Sequence, residues 1–278
     1  MIGTFVELLD GEMFTAKSMA TKWEDCRKLF LGERVSREKI REAKDLDIDN
    51  LPVVEGPTVL GYAKTDELRQ GMVVSQSHIH HSFQESMVGS SERLPALARR
   101  FLQDGMENYN LYFVTDGGRN LLGIMTYADL NRRTSYIYSY VMISFLEQWA
   151  KMQIENKYRL VGRRLSTRWM SSLDAERRSL LARQAAEKHQ STLGVASLDD
   201  LIRILRRDVK QGMDRDFKRM LASALSIRPR VAHPVKLLVP RKDSEGLSHL
   251  VRFWDGMLPL IEQEDHNFKV GGWGLHVT

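Results

Sequence analysis

The chain has 278 residues, enough for two compact domains that each bury their own core. Its composition, 42% hydrophobic and 28% charged, is that of an ordinary globular protein, and its single cysteine, Cys26, excludes an intramolecular disulfide and a cysteine zinc site. The net charge of +5 is unevenly spread: residues 1–150 carry 17 Lys/Arg against 21 Asp/Glu, residues 151–230 carry 19 against 9, and residues 231–278 carry 5 against 6.

The opening MIGTFVELLDGEMF lacks a basic stretch followed by a long apolar run, so no signal peptide is expected. No run of about 18 apolar residues occurs, so no membrane contact is expected and a cytoplasmic location is. Two segments then read alike. Leu51-Pro52-Val53-Val54-Glu55 turns through Gly56-Pro57 into Thr58-Val59-Leu60-Gly61-Tyr62, and a short helix opens at Lys64. Leu111-Tyr112-Phe113-Val114-Thr115 turns through Asp116-Gly117-Gly118 into Leu121-Leu122-Gly123-Ile124-Met125, and a helix opens at Thr126. Each is an apolar strand, a tight turn and a second strand. Each follows an amphipathic helix, Ser36 to Leu46 in the first case and Glu92 to Gln103, capped by Ser91, in the second. One such unit cannot cover both faces of its sheet, but two side by side can.

This duplication resembles the cystathionine-β-synthase (CBS) domain family, most closely in FVTDGGRNLLGIMTYADL and recognisably in LPVVEGPTVLGYAKTDEL. The resemblance implies an α+β tandem CBS pair in residues 1–133, with repeat 1 over about 17–70 and repeat 2 over about 76–133. It also implies an adenine nucleotide (AMP, ADP, ATP or a related adenosyl ligand) as regulatory ligand.

Such a ligand needs an apolar slot, a carboxylate for its ribose hydroxyls and donors for its phosphate. Gly123 permits close backbone approach, Thr126 places a hydroxyl at a helix opening, and Asp129 follows one turn later. In the family this spacing carries the phosphate Thr and the ribose Asp. Thr126 and Asp129 can equally form a capping box, a role compatible with binding. The first repeat has Lys64 in the Thr position and Glu67 in the Asp position, so one competent cleft at most is expected. Val53, Val54, Tyr112 and Phe113 are the expected base slot. In His78-Ile79-His80-His81, strand alternation would put His78 and His80 on one face. With no third ligand in sight, a polar linker is expected and no metal.

Beyond residue 133 the pattern becomes helical. Residues 135–158 are apolar nearly all round at first, which marks a helix buried on several sides. Ala175 to His189 is a more polar helix. Leu198, Leu201, Ile202, Leu205 and Val209 form a stripe behind a cap at Ser197, and Met213, Phe217, Met220, Leu221, Ala224 and Leu225 form another. Leu247, Leu250, Val251, Trp254, Met257, Leu258 and Ile261 form the last. An all-α bundle is expected over 134–266, with a tail over 267–278. Its surplus positive charge makes either solvated helix faces or a surface turned to a polyanion.

Between the last two stripes lies Arg228-Pro229-Arg230-Val231-Ala232-His233-Pro234. An Arg and a His so spaced can meet on one phosphodiester, the imidazole moving the proton and the guanidinium holding the phosphoryl oxygens. The segment resembles the motif of the HEPN superfamily (higher-eukaryote and prokaryote nucleotide-binding helical domains), an Arg, four to six residues, then His, with Pro229 where a polar residue is usual. The resemblance implies catalytic roles for Arg228 and His233, RNA as partner, and a homodimer. Two functions follow: a nucleotide-sensing regulatory module controlling a basic helical effector, or a nucleotide-regulated, metal-independent ribonuclease of toxin or defence type.

Overall fold

The computed structural model describes residues 9, 11–103, 111–117, 120–159, 166–209, 214–233, 236–240 and 243–271. Gly118, Met213, Pro234 and the tail from residue 272 lie outside them, as does the side chain of Val209. The chain divides into two compact units. One comprises Asp10–Ser135 with Leu238–Leu247, the other Met1–Leu9, Tyr136–Leu237 and Ser248–Thr278.

The first unit holds two four-stranded sheets. After the one-turn helix α1 (Ala16–Met19) come β1 (Thr21–Lys22), β2 (Leu29–Phe30), α2 (Arg37–Asp45), β3 (Asn50–Glu55), β4 (Thr58–Lys64), β5 (His81–Ser82), β6 (Met87–Gly89), α3 (Leu94–Gln103), β7 (Leu111–Thr115) and β8 (Leu121–Thr126). One sheet runs β2-β3-β4-β5 and the other β1-β8-β7-β6. In each, a short strand lies parallel to the first strand of the hairpin, joined to it by a crossover helix, α2 or α3. The fourth strand is exchanged: β1, from the start of the first repeat, pairs with β8, and β5, from the start of the second, pairs with β4. The segment around His81 is therefore a sheet edge and not a linker. Both exchanged strands are two residues long, too short to carry a periodicity.

Ser36 caps α2 by accepting from the Lys39 N–H at 3.1 Å, as its position predicts. Helix α3 begins at Leu94, so Ser91 is too early to cap it. The ladders also correct the alignment of the repeats. Leu51 pairs with Ala63 and Tyr112 with Met125, so Leu51 corresponds to Tyr112 and not to Leu111. A slip of one residue exchanges the faces of a strand. Leu51 and Val53 accordingly pack with Ala43 of α2, while Leu111 and Phe113 point to the opposite face with Tyr62, Ile124 and Cys26.

The second unit is helical: α4 (Arg133–Tyr158, which starts in the first unit), α5 (Ala175–Lys188), α6 (Leu198–Ile204), α7 (Arg215–Ala232) and α8 (Ser244–Gly271). Helix α8 thus runs past residue 267, where a tail is expected. Its core is tied by buried indoles. Trp254 donates to Ser139 Oγ at 3.1 Å and meets Tyr138 edge-on at 5.2 Å, while Trp149 donates to Glu264 Oε1 at 3.0 Å. Pro229 sits inside α7. Among the described residues no helix is long and apolar enough to cross a membrane. Residues 238–247, expected in the bundle, belong with the sheets.

Candidate functional site

Strand β8 ends at Thr126, whose extended backbone caps the 3-10 turn Tyr127–Asn131. Asp129 turns its carboxylate back on that cap. Its Oδ2 accepts from the Thr126 N–H at 2.6 Å and from the Thr126 hydroxyl at 3.1 Å. Its Oδ1 lies 2.6 Å from Arg132 Nε. The Arg132 guanidinium also donates to Thr21 Oγ1 at 2.7 Å, fastening the turn to β1. Asp129 is 7% exposed, so its charge is held away from water by named partners. Burial pushes its carboxyl above the usual carboxylate range, against the pull of Arg132 and the Thr126 donors. The capping box is therefore present; its two donors fill Oδ2, while Oδ1, which faces Arg132, retains a lone pair for a ligand hydroxyl. Arg132 is the group that sequence reasoning missed. Its spacing of three from Asp129 within a turn was the available signal.

Gly123 has a local reason to be glycine. A Cβ there would lie 2.2 Å from the carbonyl oxygen of Thr21, so the backbone that approaches it is the chain's own β1.

The residues expected to line a base slot are not all brought together. Tyr112 lies edge-on to Phe101 of α3 at 4.8 Å, and Val53 lies in the core under α2, both on helix-covered faces. Val54 is buried in neither cluster around these residues. Phe113 is on the other face, contacting Phe83 at 5.1 Å and Trp23 edge-on at 6.5 Å. Trp23, Phe83, Val59 and Leu121, all partly buried, pack around it, an apolar lining not expected from the strands alone. Cys26 belongs to the same cluster. Burial raises its thiol to about 11. Thr21 links this lining to the turn: its carbonyl lies 3.8 Å from Cys26 Sγ, and its hydroxyl accepts from Arg132.

The matching turn of the first repeat differs. Lys64 precedes the 3-10 turn Thr65–Glu67, half-buried. Glu67, exposed, pairs with His80 Nε2 at 2.6 Å, and the His80 ring stacks on Tyr62 at 6.3 Å. His78 sits in a separate turn with Nδ1 accepting from the Ser75 N–H at 3.0 Å, so His78 and His80 do not share a strand face. Among the described residues no three His, Cys, Asp or Glu side chains are grouped to hold a metal.

In the helical unit Arg228 lies within α7 and pairs with Glu147 of α4 at 3.5 Å. His233 follows the helix end, exposed, and among the described residues its ring has no hydrogen-bond partner. Five residues of helix turn through about 500°, so the two side chains leave on different faces. Three arginines of the basic stretch pair with its own acids, Arg177 with Asp200, Arg203 with Asp174 and Asp199, and Arg219 with Asp216, which leaves the surplus of the stretch unchanged.

No protein-family model matches the chain, and no curated protein matches it significantly. Solved structures give partial likenesses. The CBS domain of a bacterial CNNM/CorC-family Mg2+ transporter, in complex with ATP, is 12% identical with a TM-score of 0.36, covering 46% of this chain and 91% of that one. CBSX2 in complex with AMP is 19% identical with a TM-score of 0.36, covering 45% of this chain and 98% of that one. The CBS domains of a transcriptional regulator from Streptococcus pneumoniae are 16% identical with a TM-score of 0.34, covering 42% of this chain and 97% of that one.

Proposed function

We propose that the first unit is a regulatory module that binds an adenosine nucleotide at the β8 turn, and that the helical unit is its effector. The observation that carries this reading is the buried Asp129 carboxylate, anchored by Thr126 and Arg132, with Arg132 joined through Thr21 to the cluster of Cys26, Phe113 and the partly buried Trp23 and Phe83. Asp129 Oδ1 accepts a ribose hydroxyl, Trp23, Phe83 and Phe113 receive the base, and the Arg132 guanidinium faces the phosphate, joined by the Thr126 hydroxyl when it turns its proton away from Asp129. A ribonuclease reading would rest on Arg228 and His233, and the pairing of Arg228 with Glu147 does not favour it.

Isothermal titration of the whole chain with AMP, ADP and ATP tests the proposal. Saturable binding by the native protein, weakened about tenfold or more in Asp129→Asn, is the expected result, since one charge-assisted bond contributes about 1.5–3 kcal/mol. Equal affinity in the two proteins would remove Asp129 from the site, and no binding of any adenine nucleotide would remove the function.

A further inference from the structure

The segment joining α7 to α8 returns to the nucleotide turn. Leu238 and Val239 are fully buried, although they belong to a connector 108 or more residues away in sequence from their partners. The Asn131 side chain clasps both main-chain groups of Val239: Nδ2 donates to its carbonyl at 2.9 Å, and its N–H donates to Oδ1 at 2.8 Å. The Tyr127 hydroxyl donates to the Pro240 carbonyl at 2.7 Å, where the Asp243 N–H also converges at 3.1 Å. Upstream, the Tyr136 hydroxyl donates to the Lys236 carbonyl at 2.6 Å.

Tyr127 and Asn131 alternate with Thr126 and Asp129 around one short 3-10 turn. At about three residues per turn their side chains leave in different directions, Asp129 towards Thr126 and Arg132, and Tyr127 and Asn131 towards the connector. A turn so short has no slack: a ligand that reorients Thr126 or Asp129 must alter the bonds made by Tyr127 and Asn131. The connector begins where α7 ends, at Ala232, and ends where α8 begins, at Ser244.

We infer that residues 238–240 are the output element of the module, so that nucleotide occupancy at Thr126 and Asp129 and docking of this segment on Tyr127 and Asn131 are linked equilibria. The inference rests on the nucleotide reading above. By reciprocity, whatever AMP does to docking, undocking must do to AMP affinity by the same factor.

Two measurements on the whole chain test it. The first is hydrogen exchange at the Val239 amide of the native protein, with and without saturating AMP. The second is the AMP Kd of Asn131→Ala and of Val239→Asp, which undocks the segment from its own side. The expected result is a change of about fivefold or more in Val239 exchange, and a change of similar size in Kd for both variants. If the native protein binds AMP while Val239 exchange and both Kd values stay unchanged, the linkage is overturned and the nucleotide reading survives. Failure of the native protein to bind AMP overturns both. The exchange arm needs no variant, so a variant that does not fold leaves the test decisive.

Discussion

Gly123→Ala separates two explanations of one glycine. The new methyl would sit 2.2 Å from Thr21 O, 3.1 Å from Thr21 C and 3.2 Å from the Ala20 Cβ. The first contact falls 1.2 Å short of the 3.4 Å at which ordinary contact begins, and it is made by backbone, which cannot rotate away. Strand β1 must therefore leave its register opposite Gly123 and Ile124, and Thr21 then draws away from the Arg132 guanidinium. Overpacking of this kind costs about 1–3 kcal/mol, and losing two ladder hydrogen bonds adds about 1 kcal/mol each. A loss of about 3–5 kcal/mol is a large fraction of a typical domain's stability. Urea denaturation followed by far-UV circular dichroism reads it directly as a lower midpoint with an unchanged slope. A midpoint equal to that of the native protein would refute the reasoning, because the exchanged strand could not then be packed against Gly123.

Gly256→Ala tests a second close approach: its Cβ would lie 2.5 Å from Cγ and 2.8 Å from Cβ of the buried Met220, so α7 and α8 must part. The cost should be about 1–3 kcal/mol despite the better helix propensity of alanine, measured by thermal or urea unfolding. Arg177→Ala strands the buried Asp200 carboxylate, which Arg177 Nη2 contacts at 2.5 Å, and should cost about 3–5 kcal/mol, with Asp200→Asn in the same background recovering part of it. Two carboxylates give opposite pH signatures. Burial pushes Asp200 up, but the Arg177 fork and the Ser197 donors outweigh it and hold the group below its usual range. Its stability contribution is thus present above the unfolded carboxyl value and lost as pH falls through the lower folded value. Asp129 is raised by burial, so its contribution is present below the unfolded value and lost as pH rises through the higher folded value. Urea midpoints from pH 3 to 7 should therefore drop less on acidification in Asp200→Asn and fall less with rising pH in Asp129→Asn; matching profiles in both variants would contradict the assigned causes.

What was legible in the sequence was local. Apolar runs on either side of a tight turn marked the hairpins at 51–62 and 111–125, the spacing of Thr126 and Asp129 marked a cap, and 3.6-residue periodicity marked α7 and α8. These signals survive because strand faces and helix stripes are properties of neighbouring residues. The exchanged strands β1 and β5 have no such period, and their partners lie far away in sequence, so only tertiary structure assigned them to the opposite repeats. The same holds for the register of β7, where a one-residue shift moved Tyr112 under α3 and left Phe113 to face Trp23 and Phe83. Residues 238–240 are the strongest case. A short polar-flanked connector reads as a loop, and only its burial against Tyr127 and Asn131 tied it to the turn that carries Asp129, because such contacts are chosen by packing and not by local preference.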